Sequence, residues 1–271
     1  QINGRFSFIN QIDSYNPHKL DTQNKIIYNS REKCYRLFLF YKTFLCNTAP
    51  IIMTEGKTDI LYLKAALMSK YKDYPKLVSK DKKNNFKFRI NFFRRTKLRN
   101  FMFKISPDGG CDLTAVYNMY KSSDLYDKFV KYDNDGTGNI ISKFPFILIY
   151  DNEQRGKKKP LHILLNNNNI TEKEKSNIID FYFTKISNST NLYATTIPLP
   201  NGLEECEIED LLPENILNME INGKKFNKGG GKDFFGKDIL SKYIYNHYSE
   251  IDFSNFDILL DNINKIVSNF N

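Results

Sequence analysis

The sequence predicts an α/β fold, a mainly parallel central sheet flanked by helices, with a short helical extension in front. Three observations carry that expectation. The run 51–53 is apolar and passes through Glu55 and Gly56 directly into a helical pattern. The run 144–150 is almost wholly apolar and ends at Asp151, as expected of a central strand in a parallel sheet covered on both faces. The stretch 253–270 places Phe256, Leu259, Leu260, Ile263, Ile266, Val267 and Phe270 on one helical stripe, which predicts a helix packed on the core.

Taken in order, the apolar residues Tyr35, Leu37, Phe38, Phe40, Tyr41, Phe44 and Leu45 recur near helical spacing among Arg31, Lys33, Arg36 and Lys42. They predict a helix over 30–45. The segment 47–50 ends it, because the residue before Pro50 is disfavoured in helix. Ile51, Ile52 and Met53 then predict a strand, Glu55-Gly56 a tight turn, and Thr58 or Asp59 the cap of a helix reaching Leu67. Phe86, Phe88, Ile90 and Phe92 alternate with Lys87, Arg89 and Asn91, predicting one half-buried strand over 86–93 with a basic outer side. Phe101, Phe103 and Ile105 alternate likewise, predicting a strand that runs into the Pro-Asp-Gly-Gly turn at 107–110 and then a helix over 113–120. Residues 133–138, 157–160, the asparagines 166–169 and the glycines 229–231 are expected to be loops.

At 271 residues with 41% hydrophobic content the chain can bury one substantial core. Its formal charge is +9. Eleven Lys or Arg against the single acid Asp81 give the stretch 76–104 a charge of +10, leaving −1 for the rest. Basicity this local points to a surface that meets a polyanion, set against the plainer reading of a solvated lysine-rich face. Lys87, Arg89, Arg94 and Arg95 are its candidate nucleic-acid contacts. Cys34, Cys46, Cys111 and Cys206 form no CxxC pair, and His18, His162 and His247 are scattered. No zinc site and no cysteine or serine triad has a signature here. No apolar run approaches the roughly 20 residues that span a bilayer, and no signal peptide is recognisable. A cytoplasmic location without membrane attachment is the resulting expectation.

The acidic residues carry the chemistry. Glu55 follows an apolar strand and Asp59 lies on the first turn of the next helix, so both carboxylates can face one crevice at a strand end. Asp151 and Glu153 are two apart on an extended segment and point the same way. Four carboxylates suit Mg²⁺ or Mn²⁺, which take oxygen ligands and share substrate phosphate oxygens. Gly56 lets backbone approach a phosphate closely. Each group also has a plain reading: Glu55 and Asp59 as complements of a helix N-terminus, Asp151 and Glu153 as ordinary loop-start acids. Glu205, Glu207 and Glu209 alternate, and Glu207 and Glu209 are the favoured further ligands.

These residues carry a resemblance. IIMTEGKTDILYLKAAL resembles the first motif of the Toprim family, and FILIYDNE resembles its acidic DxD motif, with Glu153 standing where the family usually has aspartate. GLEECEIEDLLP, residues 202–213, resembles the acidic third element of the Toprim nucleases related to the overcoming-lysogenization-defect proteins, and GGGKDFFGKDILSKYI their lysine-bearing segment. Within that segment Lys237 aligns best and Lys232 second. INGRFSFINQID, residues 2–13, is similar to the end of the thumb in retron reverse transcriptases, and YRLFLFYKTFL resembles the helix joining that polymerase to a fused Toprim domain.

The resemblance implies that residues 1–47 are the thumb tail and connecting helix of a longer polypeptide, an RNA-directed DNA polymerase, and that 48–271 is a Toprim, Rossmann-like nuclease domain. It implies a Mg²⁺- or Mn²⁺-dependent nuclease with Glu55, Asp59, Asp151 and Glu153 as metal ligands, Glu207 and Glu209 as further ligands, and Lys237 or Lys232 as the catalytic cation. The setting it implies is the bacterial cytoplasm and a retron antiphage system. The partners would be the retron non-coding RNA, its reverse-transcribed DNA, the fused reverse transcriptase domain and a nucleic-acid substrate, with self-association left open. The alternative is a decayed Toprim module that only binds the retron RNA and DNA. A topoisomerase would need a nucleophilic tyrosine in a recognisable motif, and none of the seventeen tyrosines stands in one.

Overall fold

The structure is a computed structural model that describes residues 28–105, 112–122, 125–130, 142–187, 189–200 and 202–270. The segment 2–13, the turn at 107–110, Cys111 and the loop 133–138 lie outside the described residues. Helix α1, Ser30–Phe40, starts from a capping box: the Glu32 N–H donates to Asn29 Oδ1 at 2.9 Å and the Asn29 N–H to Glu32 Oε2 at 2.7 Å. It widens into a π-helical turn, Tyr41–Leu45. Strand β1, Ile51–Thr54, leads into α2, Asp59–Ser69. The strands β2, Val78–Lys80, and β3, Phe86–Phe88, form an antiparallel pair, and β4 is Asn91–Phe92. Helices α3, Lys97–Phe103, α4, Asp112–Tyr120, and α5, Tyr126–Val130, precede β5, Phe146–Tyr150. Helices α6, Pro160–Leu165, and α7, Glu172–Phe181, lead to β6, Phe183–Lys185, and β7, Leu192–Thr196. A 3₁₀ turn, Ile208–Leu211, and α8, Glu214–Leu217, come before a small sheet of β8, Glu220–Ile221, β9, Lys224–Phe226, and β10, Phe234–Phe235. Helices α9, Lys237–Asn246, and α10, Asp257–Asn269, complete the described chain.

The central sheet has the order β4-β1-β5-β7-β6, parallel throughout except for β6. Its two faces are both buried. Ile147 and Ile149 of β5 pack with Leu63, Leu67, Leu240 and Leu260 from α2, α9 and α10. Phe146, Leu148 and Tyr150 face the opposite core, with Phe44, Met102, Val116 and Leu161. A strand covered on both sides shows no polar alternation, and β5 reads as one apolar run for that reason. The π-helical turn brings Phe44 into the second core, where its ring centroid lies 6.0 Å from Phe93, 5.1 Å from Phe103 and 4.8 Å from Phe146. The helix in front of β1 is thus packed against the sheet through Phe40 and Phe44, both fully buried.

Two expected elements differ. The single strand expected over 86–93 is two strands in two sheets. Arg89 N–H still follows the hairpin, donating to the Leu77 carbonyl at 2.8 Å, whereas Asn91 and Phe93 donate to Pro50 and Ile52 along β1, each at 2.8 Å. The chain bends at Arg89 and Ile90, where it changes partner, yet the alternation of exposed and inward side chains continues across the bend. The strand expected over 101–105 is the end of helix α3. Thr96 caps it by accepting from the Arg99 N–H at 3.2 Å, and Lys104 closes it in a left-handed conformation, φ +53°. Three alternating apolar residues are too short a window to separate the two periods. Leu98 and Met102, four apart, form the stripe that turns inward.

Candidate metal centre

Strands β1 and β5 are neighbours, yet the chain leaves them toward opposite faces of the sheet. After β1 it forms α2, whose Leu63 and Leu67 lie in one core. After β5 it forms α6, whose Leu161 and Leu164 lie in the other. The loops part and leave a crevice at the carboxyl ends of the two strands, the place where open α/β sheets bind ligands.

At the end of β1, Thr54 Oγ1 donates to the Gly56 carbonyl and the Gly56 N–H donates to Asp59 Oδ2, both at 2.7 Å. Asp59, not Thr58, reaches back over the helix start. A methyl group on Gly56 would stand 2.6 Å from Asp59 Oδ1, so glycine is needed here for close approach and not for backbone freedom. Arg95 braces the same turn. Its Nη2 donates to the carbonyls of Thr54 at 2.7 Å and Glu55 at 3.2 Å, and its Nε pairs with Asp112 Oδ2 at 2.6 Å.

At the end of β5 the side chain of Asn152 is buried and donates to the Ile197 carbonyl at 2.9 Å, at the end of β7. Asp151 and Glu153 point to the other side, toward Glu55. One carboxylate oxygen from each of Glu55, Asp151 and Glu153 lies within 4.8 Å of the other two. Asn152 also makes a two-way backbone bridge with Cys206, at 2.8 and 3.0 Å. That bridge brings Glu207 and Glu209 to the centre. Glu209 is fully buried, and Lys237 at the start of α9 lies 3.2 Å from its Oε2 and 3.4 Å from Glu207 Oε2. Lys228 pairs with Glu207 at 2.8 Å, and Lys159 with Glu153 at 2.7 Å.

Burial pushes the Glu55 carboxyl up to about 7, with the charges of Glu153 and Asp59 adding to it and the Asp151 N–H and Lys159 opposing it. Burial raises Asp151 well above the usual carboxylate range, helped by Asp59, Glu55, Glu209 and Glu207. Asp59 is raised by burial against the pull of the Gly56 N–H and Lys237, and Glu209 by burial against Lys237. Burial acts on Glu207 in the same direction, but Lys228 and Lys237 outweigh it and hold that group low. For Lys237 burial works against the charge, yet Glu209 and Glu207 keep it above its ordinary value. Glu55 Oε2 and Glu209 Oε1 are buried with no hydrogen-bond partner among the described residues. Crowded, buried carboxylate oxygens of this kind suit a hard divalent cation, whose charge offsets their repulsion.

The structure therefore brings Glu55, Asp151 and Glu153 into one cluster, with Asp59, Glu207, Glu209 and Lys237 coupled to it. Lys232 is exposed in the loop between β9 and β10, its carbonyl accepting from Lys224 Nζ at 2.7 Å, and its ammonium joins no ion pair among the described residues. Of the four expected nucleic-acid contacts, Lys87, Arg89 and Arg94 are exposed. Arg95 is not: its side chain is 5% exposed against a 1% exposed Asp112, because a guanidinium with three fixed acceptors is worth more as a brace than in water. Lys159 and Lys228 were missed by sequence reasoning. The only signal for Lys159 was its place before Pro160, a residue that favours the first position of a helix. No protein-family model matches the chain and no solved structure matches it, so the reading of this centre rests on its own geometry and chemistry.

Proposed function

We propose that this chain is a divalent-metal-dependent nuclease of the Toprim kind, cleaving phosphodiester bonds of DNA or RNA. The observation that supports it most is the meeting of Glu55, Asp151 and Glu153 at the switch point of the sheet, with a buried carboxylate oxygen of Glu55 left without a hydrogen-bond partner among the described residues. The donor set is all oxygen, which fits Mg²⁺ or Mn²⁺ and excludes soft-ligand selection. These three carboxylates would hold the ion, with Asp59 beside them and Glu207 and Glu209 as further acidic groups. When bound, such an ion polarises the phosphate and lowers the pKa of a coordinated water.

The chain's own groups do the rest. Gly56 and Asp59 hold the turn that carries Glu55, and Arg95 fixes the two carbonyls before it. Lys237 stays protonated beside Glu207 and Glu209, a fixed positive charge positioned before the reaction, which favours the charge that develops on the phosphate. A role as the effector part of a retron antiphage system, fused to a reverse transcriptase and checked by the retron RNA and DNA in the bacterial cytoplasm, is part of the proposal. It rests on the resemblance at 2–13 and 35–45 alone.

The test is to incubate the purified chain with tRNA, mRNA, plasmid and single-stranded DNA, with Mg²⁺ or Mn²⁺ and with EDTA. Cleavage should need the ion. Glu55→Gln and Asp151→Asn should each abolish it without unfolding the protein, and full activity in both variants would refute the assignment.

A further inference from the structure

The edge of the central sheet at β4 borders an open groove of about 810 Å³. Phe88 and Phe92 line it, Lys57, Lys64, Lys87 and Arg94 surround them, and among the described residues no acid takes part in the lining. A second cavity of about 390 Å³ shares Asn91 to Arg94 with the first and carries the trough on past Lys42 and Arg99. Among the described residues none of Lys57, Lys64, Lys87 and Arg94 is in an ion pair. Burial, and then the neighbouring charge of Arg94, hold the Arg99 guanidinium below its ordinary pKa, a sign of cations gathered without counter-charge. Lys64 Nζ stands 5.7 Å from the ring centroid of Phe88 and 5.3 Å from that of Phe92. Both rings therefore turn a face to the groove. The inner end of the groove abuts the acidic centre, since Lys57 follows Gly56 and Arg95, also in the wall, donates to the carbonyls of Thr54 and Glu55.

We infer that this groove is the track for a single strand of nucleic acid, with phosphates on the four cations and a base stacked on the face of Phe92, beside which the Phe88 ring stands nearly perpendicular at 6.4 Å, leading to the acidic centre. In a duplex the base faces are already stacked inside, and a concave surface meets only phosphates and groove edges. That would leave the two phenyl faces idle. A single strand offers free base faces, each worth about 1–3 kcal/mol on an aromatic platform, while cations track its backbone. An incoming base takes the place of the Lys64 ammonium over the rings, and the ammonium pairs with the adjoining phosphate. An acidic peptide could satisfy the cations but gives the rings no planar partner. The inference names the substrate class of the proposed nuclease and rests on that reading only for where the strand leads.

The test is a binding measurement with the centre disabled. The full chain carrying Glu55→Gln and Asp151→Asn, in EDTA, is titrated against a labelled oligothymidylate of about 16 nucleotides, the upper end of common single-strand site sizes, and against the matching duplex. The single strand should bind about ten-fold more tightly or better. Changing Lys57, Lys64, Lys87 and Arg94 to Gln should lower the slope of log affinity against log salt by about 3, at roughly 0.7 for each lost contact. Phe92→Leu should weaken the single strand by about five- to hundred-fold, the equivalent of one stacked base, and Phe92→Tyr should restore it. If Phe92→Leu does not fold, the Gln variant decides, because three of its four cations are exposed. Equal or tighter duplex binding would overturn the single-strand assignment. Displacement by poly-glutamate as readily as by oligothymidylate would make the groove a peptide site, and an unchanged salt slope in the Gln variant would place binding elsewhere. Because cleavage plays no part in the measurement, loss of the nuclease reading and loss of this one are distinguishable.

Discussion

Gly56 and Asp59 are tied so closely that each depends on the other. The N–H to carboxylate bond is 2.7 Å and the space beside Gly56 is already filled by Asp59. Gly56→Ala should displace the Asp59 carboxylate and weaken Mg²⁺ binding by about ten- to hundred-fold, the usual cost of losing an outer support of a metal ligand. Calorimetric titration checks it, and unchanged affinity would remove Asp59 from the centre. Lys159 should act in the opposite direction. Its ammonium sits 2.7 Å from Glu153 Oε1 and competes with a metal for that oxygen, so Lys159→Met should tighten Mn²⁺ binding; weaker binding would mean that Lys159 supports the ligand instead. Glu55 also makes stability depend on pH. Its carboxyl stands at about 7 in the folded, metal-free chain against 4.5 for an ordinary glutamate. Below the lower value it is protonated in both states. Between the two values the unfolded chain has released a proton that the folded chain retains, so stability falls as pH rises, and above the upper value the loss is complete. The loss is at most about 3.5 kcal/mol, from roughly 1.4 kcal/mol for each unit. Thermal midpoints in EDTA should fall across that window and Glu55→Gln should flatten the fall; a midpoint that rises with pH would contradict the buried carboxyl.

Among the elements, α3 and α4 show how a basic stretch divides between surface and interior. Arg95 precedes α3 and Asp112 opens α4, and their ion pair at 2.6 Å ties both helices to the end of β1. Arg95→Met should cost about 3–5 kcal/mol, because it leaves the buried Asp112 carboxylate without its guanidinium. Urea denaturation measures this. A variant of unchanged stability but weakened nucleic-acid binding would restore Arg95 to the surface role read from the sequence. The π-helical turn after α1 has a comparable structural burden. Phe44 meets five other rings in the core, and Phe44→Ala falls in the class of large-to-small changes that cost about 3–5 kcal/mol.

Over the whole molecule, opposite charges are sorted onto adjoining surfaces. A chain of net charge +9 gathers six carboxylates at one crevice and opens beside it a groove that, among the described residues, is lined by no acid. Among the described residues no helix is long and apolar enough to cross a membrane. Crowded carboxylates oppose folding until a cation joins them, so Mg²⁺ should raise the stability of the whole chain. The linkage relation gives about 2.7 kcal/mol at a hundred times the dissociation constant. A thermal midpoint indifferent to Mg²⁺ and Mn²⁺ at every concentration would argue that no metal belongs at the centre.

By itself the sequence determined the α/β class, the strands β1 and β5, the helices around 30–45, 59–67, 113–120 and 253–270, and the positions of Glu55, Asp59, Asp151 and Glu153 at strand ends. These are statements about local periodicity and about where an apolar run stops. Tertiary structure decided the rest. The Asn152–Cys206 bridge delivers Glu207 and Glu209, and nothing local to either segment encodes it. Lys237 rather than Lys232 meets the acids because α9 begins beside Glu209, a matter of packing between α9 and the turn before it. Arg95 left the surface because Asp112 and two strand-end carbonyls converge on it. The strand expected over 86–93 was cut in two by the competition between β2 and β1 for its backbone. Each of these outcomes turns on which distant group satisfies a buried donor, acceptor or charge, and a one-dimensional pattern of apolar and polar residues does not contain that choice.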